Sequence, residues 1–292
     1  MTPRHLADAG GNAISGGRSG ESRLPLFHIL VLALVQGITE FLPISSSGHL
    51  ILVPVLASWP DQGLAVDVAA HVGTLVAVLV YFWRDIGRML AGLGPLLRGR
   101  LDDDGARLVL HILIATVPAV VVGGLIQHFL GDSLRSVPLV AWMMICFAVV
   151  LYVADRIGPT LRKVEHMTRG QAFAIGCAQV LAFLPGTSRS GITMVAARLF
   201  GYERPQAARF SFLLSIPAIA AAGLLEGYKL ARSGTPGVLH DALLTAGIAA
   251  IAGLAAIAFM MRWLQGSTFT IFVVYRLIFG ALLLYLVYGR GL

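Results

Sequence analysis

The chain has 292 residues, of which 57% are hydrophobic and 13% charged, and its mean hydropathy is +0.80. Soluble domains carry about a quarter charged residues, so this composition excludes a soluble globular protein and predicts a polytopic membrane protein. The formal net charge of +7 does not indicate a nucleic-acid partner, because the basic residues lie between apolar stretches and form no basic face.

The N-terminal residues 1–24 are rich in Gly, Ser and Ala and contain no hydrophobic run. They are too polar for the core of a signal peptide, so we predict a disordered tail. Residues 25–292 are expected to form a single integral membrane domain. Cys146 and Cys177 lie far apart in apolar surroundings, which predicts buried free thiols and neither a disulfide nor a metal site.

Two apolar segments are interrupted at their centres. Leu24 to Leu56 is broken by Pro43, three serines and Gly48, and Gln171 to Phe200 is broken by Pro185, Gly186 and Gly191. Proline and glycine at these places predict two short helices meeting at a turn, as a re-entrant hairpin or a broken helix. Non-helical backbone at membrane depth is tolerated only where protein or a water-filled cavity surrounds it.

Other stretches approach the roughly 20 apolar residues that a membrane-spanning helix needs. They are Val68 to Trp83, Leu108 to Phe129, Ser136 to Ala154, Phe210 to Leu225, Ala242 to Met261 and Gly266 to Tyr288.

The order of elements predicts an internal duplication. Thr116-Val117-Pro118-Ala119 recurs as Ser215-Ile216-Pro217-Ala218, so we expect one repeat at about residues 25–156 and another at about 169–290. Each would be a broken or re-entrant helix pair plus three transmembrane helices, and an odd number of spans inverts the second copy. The copies are not in strict register, because Pro43 to Gly48 is one residue shorter than Pro185 to Gly191.

Basic loop residues predict the orientation, since cytoplasmic loops carry an excess of Lys and Arg. With the N-terminal tail outside, the inside loops would hold Arg84, Arg88, Arg98, Arg100, Arg156, Arg162, Lys163, Arg169, Arg204 and Arg262.

Ionisable residues near the first break are candidates for function, because such groups are costly at membrane depth. Glu40 follows Gln36 by four residues, so both would share a helix face. Their oxygens could bind a divalent cation; the alternative is a helix–helix hydrogen bond in lipid.

Beyond that break, Ser45, Ser46, Ser47 and His49 form a compact cluster. Serine hydroxyls can donate to phosphate or attack phosphorus beside a base, and His49 could move the proton. The structural alternatives are a serine helix cap and a core-facing histidine.

The second break carries a cation. Arg189 offers paired donors that match phosphate oxygens, and a glycine-rich turn adds backbone N–H donors. Gly186, Thr187, Ser188, Ser190 and Thr193 could complete a cradle for the same anion. A structural ion pair between Arg189 and Glu40 is the competing interpretation. Asp67 and His71 lie one helical turn apart and could reach the same cavity.

Together these groups favour a lipid phosphate or diphosphate. A buried arginine, hydroxyls and glycine turns suit an anionic, oxygen-rich group, and a carboxylate beside it suits a bridging cation. The location within lipid favours a substrate whose other end is hydrocarbon.

Two long motifs resemble the signatures of the undecaprenyl-diphosphate phosphatases, also called bacitracin-resistance proteins. The first is Gln36–His49, QGITEFLPISSSGH, and the second is Pro185–Thr193, PGTSRSGIT. Asp67–Leu75 and Ser215–Ala218 are also similar, so the resemblance runs from about Leu26 to the C-terminus.

This resemblance implies a multi-pass hydrolase of the bacterial plasma membrane that removes the terminal phosphate of undecaprenyl diphosphate. Such an enzyme recycles the carrier lipid for cell-wall synthesis and confers bacitracin resistance. The acidic motif of the family corresponds to Gln36 and Glu40, its serine and histidine to Ser46 and His49, and its arginine to Arg189.

We expect Glu40, with Gln36 or water, to hold Mg²⁺ or Ca²⁺. Since position 36 is glutamine, Glu40 carries the only formal charge of the pair. Ser46 would attack phosphorus or position water, and both routes stay open, as does a homodimer. The main alternative function is a transporter or flippase for a lipid phosphate, because inverted repeats with broken helices also suit alternating access.

Overall fold

The computed structural model describes residues 25–59, 63–129, 136–233 and 238–290. The predicted N-terminal tail, residues 1–24, lies outside these ranges. Within them the chain is almost entirely helical, and the only β-type pairing is an isolated bridge between Arg162 and Tyr202.

The described residues form eleven α-helices. These are α1 Leu26–Phe41, α2 Ser46–Ala57, α3 Leu64–Tyr81, α4 Trp83–Leu97, α5 Asp104–Phe129, α6 Val137–Ile157, α7 Arg169–Gln179, α8 Arg189–Leu199, α9 Arg204–Ser233, α10 Val238–Trp263 and α11 Thr270–Arg290. Short 3₁₀ turns at Val164–His166 and Val180–Phe183 flank α7.

Four of these helices, α5, α6, α10 and α11, are long and apolar enough to cross a membrane, and α3 with α4 forms a fifth, bent candidate. This confirms the prediction of an all-α polytopic membrane protein. The predicted stretch Phe210 to Leu225 lies within α9, which is not among these candidates. The inverted relation of two repeats stays a prediction.

Small residues allow the helices to approach closely. The helix α10 packs against α1 and α3, α11 packs against α6, and α5 packs against α7. A Cβ atom added to Gly37 in α1 would lie 2.6 Å from the Cβ of Ala252, and one added to Gly176 in α7 would lie 2.3 Å from the carbonyl oxygen of Ala115. Glycine at helix crossings is the usual means by which membrane helices pack through their backbones.

The two cysteines are free, as predicted, but both are exposed at the protein surface. The prediction that they are buried was therefore wrong. In a membrane protein an apolar stretch of sequence does not distinguish the protein interior from the lipid-facing surface, because both surroundings are apolar.

Buried Asp155 at the end of α6 draws three connections together. Its Oδ1 accepts from Nε of Arg198 at 3.2 Å and from Nε of Arg204 at 2.7 Å, and its Oδ2 accepts from the Phe269 N–H at 3.2 Å. The connections that follow α6, α8 and α10 therefore lie on one side of the helix bundle, which we name the basic side.

The helix α4 belongs to the same side. Arg209 in α9 donates through Nε to Oδ2 of Asp85 in α4 at 3.2 Å and through Nη1 to Oε1 of Glu165 at 2.9 Å. Connections predicted to be inside thus meet on the basic side, and the assignment of that side to the cytoplasm stays a prediction.

Candidate active site

The first break separates α1 from α2 through an unusual serine. Ser45 has φ +75°, and its Oγ accepts a hydrogen bond from the Gly48 N–H at 3.3 Å, so it caps the start of α2. Positive φ is uncommon for a residue other than glycine and costs about 1–3 kcal/mol. The surrounding contacts must therefore hold this backbone in place.

The second break repeats this geometry. Ser188 has φ +77°, and its Oγ accepts from the Gly191 N–H at 3.1 Å, so it caps α8 in the same way. In each break the glycine that donates to the cap follows the cap serine by three residues, Gly48 after Ser45 and Gly191 after Ser188. Counted from the cap serines, the two breaks are in register, and the mismatch found from the sequence arises because the prolines occupy different positions in the two turns.

The two breaks contact each other directly. The Oγ of Ser190 donates to the carbonyl oxygen of Leu42 at 3.3 Å. A Cβ added to Gly48 would lie 3.7 Å from the Cα of Gly186. The two loops, distant in sequence, therefore form one site.

Glu40 is the centre of this site. Its Oε1 accepts from Nη2 of Arg189 at 2.9 Å, and its Oε2 accepts from Oγ of Ser46 at 2.7 Å and from Nε2 of Gln36 at 2.9 Å. The carboxylate, the guanidinium and a serine hydroxyl predicted from the two motifs therefore meet. The ion pair weighed as an alternative for Arg189 is present as well, so the pairing and a role in anion binding have to be considered together.

Arg189 is placed so that part of its guanidinium stays accessible. Its Nη1 donates to the carbonyl oxygen of Ser211 in α9 at 3.2 Å. The Arg189 side chain is 17% exposed whereas that of Glu40 is 5% exposed. The Arg189 side chain is therefore more accessible than the carboxylate that pairs with it.

His49 lies beside the cluster but does not bond to Ser46. Its Nδ1 is 2.6 Å from the carbonyl oxygen of Ser45, and its Nε2 is 2.6 Å from the hydroxyl of Tyr275. A carbonyl oxygen only accepts, so Nδ1 carries a proton, and Nε2 of the neutral ring accepts from Tyr275. The ring also stacks on Phe279 with centroids 5.2 Å apart. The expected contact between His49 and the Ser46 hydroxyl is therefore not made, because both ring nitrogens are already engaged.

His71 reaches the site from α3. Its Nε2 lies 3.8 Å from Oε2 of Glu40, and its Nδ1 is 2.7 Å from the carbonyl oxygen of Asp67. The spacing of Asp67 and His71 in the sequence indicated a shared face but not its direction, since both residues also suit a membrane interface.

Arg276 in α11 joins the two breaks. Its guanidinium donates to the carbonyl oxygens of Pro43 at 3.2 Å, Thr187 at 3.0 Å and Gly186 at 2.8 Å, and to two carbonyls of α6, those of Met143 and Met144. The residue is 1% exposed. An arginine inside an apolar span needs a partner, but the sequence does not show that the partners are backbone atoms of both loops.

The remaining predicted substrate-binding residues differ in what their hydroxyls contact and in how exposed they are. Ser45 and Ser188 are occupied as helix caps, and Ser47 is exposed at the loop surface. Ser190 and Thr193 are buried, and Oγ1 of Thr193 is 2.7 Å from Oγ of Ser211.

Gly186 and Thr187 belong to the turn before the second cap. The residue Gly186 has φ +95°, and a Cβ added there would lie 2.5 Å from the carbonyl oxygen of Val140, so only glycine fits. The Oγ1 of Thr187 is buried and has no hydrogen-bond partner among the described residues.

The two residues predicted to hold a cation, Gln36 and Glu40, lie one turn apart on α1. The Oε1 atom of Gln36 is buried without a hydrogen-bond partner among the described residues, while its Nε2 donates to Glu40. No group of three or more His, Cys, Asp or Glu side chains suited to a metal occurs in the described ranges. Because Mg²⁺ commonly uses one or two protein oxygens and completes its shell with phosphate and water, the donor set fits a cation shared with a substrate.

Comparison with known proteins supplies the family. The profile described as Bacitracin resistance protein BacA matches residues 29–282. Proteins named undecaprenyl-diphosphatase from Ruegeria sp. (strain TM1040) and Dinoroseobacter shibae are 47% and 49% identical to this chain; each alignment covers 91% of this chain and 100% of the relative. Undecaprenyl-diphosphatase 1 of Rhodospirillum rubrum is 49% identical over 90% of this chain and 95% of its own length. With a profile match across most of its length and relatives at this identity, the chain belongs to the BacA family.

Proposed function

We propose that this protein is an integral membrane phosphatase that hydrolyses undecaprenyl diphosphate to undecaprenyl phosphate and inorganic phosphate. The observation that carries the proposal is the convergence on Glu40 of Ser46 from one break and Arg189 from the other. Phosphoryl transfer can use the hydroxyl as a nucleophile, the carboxylate as a proton acceptor and the guanidinium to stabilise negative charge. The relatives named undecaprenyl-diphosphatase supply the substrate class.

One route uses Ser46 as a nucleophile. Its hydroxyl donates to Oε2 of Glu40 at 2.7 Å, so Glu40 can accept the proton as Oγ bonds to the terminal phosphorus. The bridging P–O bond then breaks, and undecaprenyl phosphate leaves with the bridging oxygen. Water would hydrolyse the phosphoserine, releasing inorganic phosphate and restoring the hydroxyl.

The other route uses water directly. Glu40 would accept the proton of an attacking water held by Ser46, and no covalent intermediate would form. Acid quenching during turnover distinguishes the two routes. A phosphate bound to Ser46 supports the covalent route. Inversion of configuration at a chiral terminal phosphorus supports direct attack by water, because two successive displacements would retain the configuration.

In both routes Arg189 stabilises the charge of the transferring phosphoryl group. Its guanidinium is held by Glu40 and by the carbonyl oxygen of Ser211, so it is oriented before substrate arrives. The helices α2 and α8 both begin at the site, and the first N–H groups of a helix have no partner within the helix. Those that the cap serines do not occupy would provide further donors for phosphate oxygens.

His49 would accept a proton at Nε2, the nitrogen that contacts the Tyr275 hydroxyl. That geometry suits transfer to solvent or to a leaving oxygen through the tyrosine hydroxyl more than direct activation of Ser46. A His49→Gln protein that kept the full rate of phosphate release would remove the histidine from the scheme.

Glu40 and Gln36 would hold Mg²⁺ or Ca²⁺ together with diphosphate oxygens. A bound cation would supply charge neutralisation on the diphosphate. Retention of full activity after exhaustive chelation would contradict this part of the proposal.

The membrane location suits such a substrate, because the prenyl chain can stay in lipid while the diphosphate reaches the two breaks. We place the protein in the bacterial plasma membrane, where the carrier lipid is recycled for cell-wall synthesis and bacitracin resistance arises. A homodimer would have twice the mass of one chain in lipid nanodiscs, and mass measurement there tests it.

The deciding experiment measures inorganic phosphate released from undecaprenyl diphosphate by the pure protein in detergent. We expect release by the unsubstituted protein and almost none from Glu40→Gln or Arg189→Met. Glu165→Gln is the matched control, because Glu165 pairs with Arg209 on the basic side. Movement of a labelled lipid phosphate across vesicles without any hydrolysis would instead support the transporter.

A further inference from the structure

A sharp bend separates α4 from α3. The two helices are separated only by Phe82 and form an angle of 84°. The preceding helix carries no formal charge between Val68 and Tyr81, whereas α4 holds Arg84, Asp85 and Arg88 in its first two turns. Since such charges are costly in hydrocarbon, the composition of α4 suits a helix along the membrane surface better than one that continues the span of α3.

One face of α4 is apolar and uncovered by protein. Trp83, Leu90, Leu93 and Leu97 recur at helical spacing, and Trp83 is 63% and Leu97 87% exposed. Gly92, on another face, is buried against α5, where a Cβ would lie 2.3 Å from the Ala106 nitrogen. The uncovered residues form an apolar stripe of the kind by which interfacial helices enter a bilayer.

Arginines lie at the two ends of this stripe and on the opposite side of α4. The Arg84 guanidinium is 5.2 Å from the centre of the Trp83 ring. Arg88 has a side chain that is 69% exposed, and its nearest acidic atom, on Asp85, is 4.0 Å away. Asp85 itself is held by Arg209. Arg98 follows directly after the helix. The helix α4 and its C-cap therefore carry three arginines and one acid, Asp85, whose carboxylate is shared with Arg209.

We propose that α4 is a docking surface for anionic phospholipids, with the apolar stripe among the acyl chains and Arg84, Arg88 and Arg98 on the headgroup phosphates. This inference does not depend on the phosphatase assignment.

Charge complementarity selects this occupant over a second copy of the chain. An identical α4 would bring the same arginines against one another, whereas a headgroup brings the opposite charge. The basic side is also where the positive-inside rule places the cytoplasmic leaflet, whose surface is negative because of its anionic lipids.

A neighbouring cavity does not offer the same chemistry. It has a volume of about 540 Å³ and is lined by Arg88, Arg107 and Arg209 but also by Asp103, Asp104 and Glu165. Arg107 pairs with Asp104 and Arg209 with Glu165, so the cavity attracts an anion weakly. The headgroups are therefore expected around α4 and outside this cavity.

Tryptophan quenching by brominated lipids tests the proposal on the full chain. A protein whose only tryptophan is Trp83 is made by changing Trp59, Trp142 and Trp263 to Phe. It is placed in nanodiscs of phosphatidylglycerol and phosphatidylcholine, with the bromine on one lipid or the other. We expect brominated phosphatidylglycerol to quench Trp83 more strongly than brominated phosphatidylcholine at the same mole fraction.

Two matched controls sharpen this test. A protein that retains only Trp142, which is exposed on α6, should show no preference between the lipids. The triple variant R84Q/R88Q/R98Q should lose the preference at Trp83, at about fivefold in lipid selectivity for each arginine. The variant R156Q/K163Q/R262Q removes the same charge from exposed residues of the basic side outside α4 and should keep it.

Three outcomes would overturn the proposal. The first is equal quenching of Trp83 by both lipids, and the second is equal loss in both triple variants. The third is a disulfide between copies of a Leu97→Cys protein in which Cys146 and Cys177 are changed to Ser, together with shielding of Trp83 from both lipids. If the single-tryptophan protein does not fold, hydrogen exchange of α4 in the unsubstituted chain replaces it. Slower exchange with phosphatidylglycerol than with phosphatidylcholine alone is then required, and equal exchange refutes the proposal.

Discussion

The two helix breaks share their backbone and differ in their chemistry. Both begin a helix at a cap serine with φ near +75°, whose Oγ accepts from a glycine N–H. The residue after the cap is Ser46 in the first break and Arg189 in the second. At the position matching Glu40, counted from the caps, the second break has Phe183. The comparison shows that one turn geometry occurs twice, with a serine hydroxyl and a carboxylate at the first break and a guanidinium at the second.

The largest expected effect comes from removing the acid that links the two breaks. In Glu40→Gln the amide cannot accept the Ser46 proton and no longer pairs with Arg189, so we expect the rate of phosphate release to fall by about 10²-fold or more. Turnover of undecaprenyl diphosphate by pure protein measures this. Unchanged turnover would mean that the convergence on Glu40 is structural.

The next effect concerns the residue that holds the two breaks together. In Arg276→Lys a compact ammonium replaces the planar fork and cannot reach five carbonyl oxygens, and each buried carbonyl left without a donor costs about 1–3 kcal/mol. We expect a lower melting temperature and a lower kcat. The control is Arg290→Lys, at the exposed end of the same helix, and equal behaviour of the two variants would refute this role.

A smaller effect tests whether the caps are equivalent. Ser45→Ala and Ser188→Ala each remove one cap and should each cost about 1 kcal/mol of stability, which thermal unfolding in detergent compares directly. If one substitution lowers the melting temperature clearly and the other leaves it unchanged, the two breaks do not share the energetics that their geometry suggests.

The smallest effect is expected at His49, beside the first break. The second break has no histidine, because Ile192 occupies the position that matches His49. Tyr275→Phe removes the hydroxyl that contacts Nε2 of His49 and should slow turnover by about fivefold, the equivalent of one hydrogen bond of about 1 kcal/mol. Tyr285→Phe, exposed on the same helix, serves as control. An equal effect of both changes would remove Tyr275 from proton transfer.

Much of the architecture could be predicted from composition and from interruptions in apolar runs. The two breaks were identified because Pro43, Gly186 and the serines cannot continue a helix in lipid. The bend after α3 was not foreseen, since Val68 to Trp83 reads as one apolar span and nothing local marks Phe82 as a corner.

The sequence predicted which residues belong to the candidate site better than it predicted which atoms they contact. Glu40, Ser46 and Arg189 were recognisable because ionisable and hydroxyl groups are rare at such depth. The partners of His49 and Arg276 could not be predicted, because they lie more than 80 residues away in the chain or are backbone atoms. The catalytic roles, the cation and the inverted repeats remain predictions.

The position of Arg276 in the chain has a consequence for biogenesis. The helix that carries it, α11, emerges from the ribosome after every other helix described, and both loops depend on its guanidinium for their carbonyl oxygens. A nascent polypeptide halted before α11 would already contain both signature motifs yet could not hold them in apposition. Maturation of the site therefore coincides with insertion of α11, and polypeptides lacking this helix should be inert however completely their earlier segments have entered the bilayer.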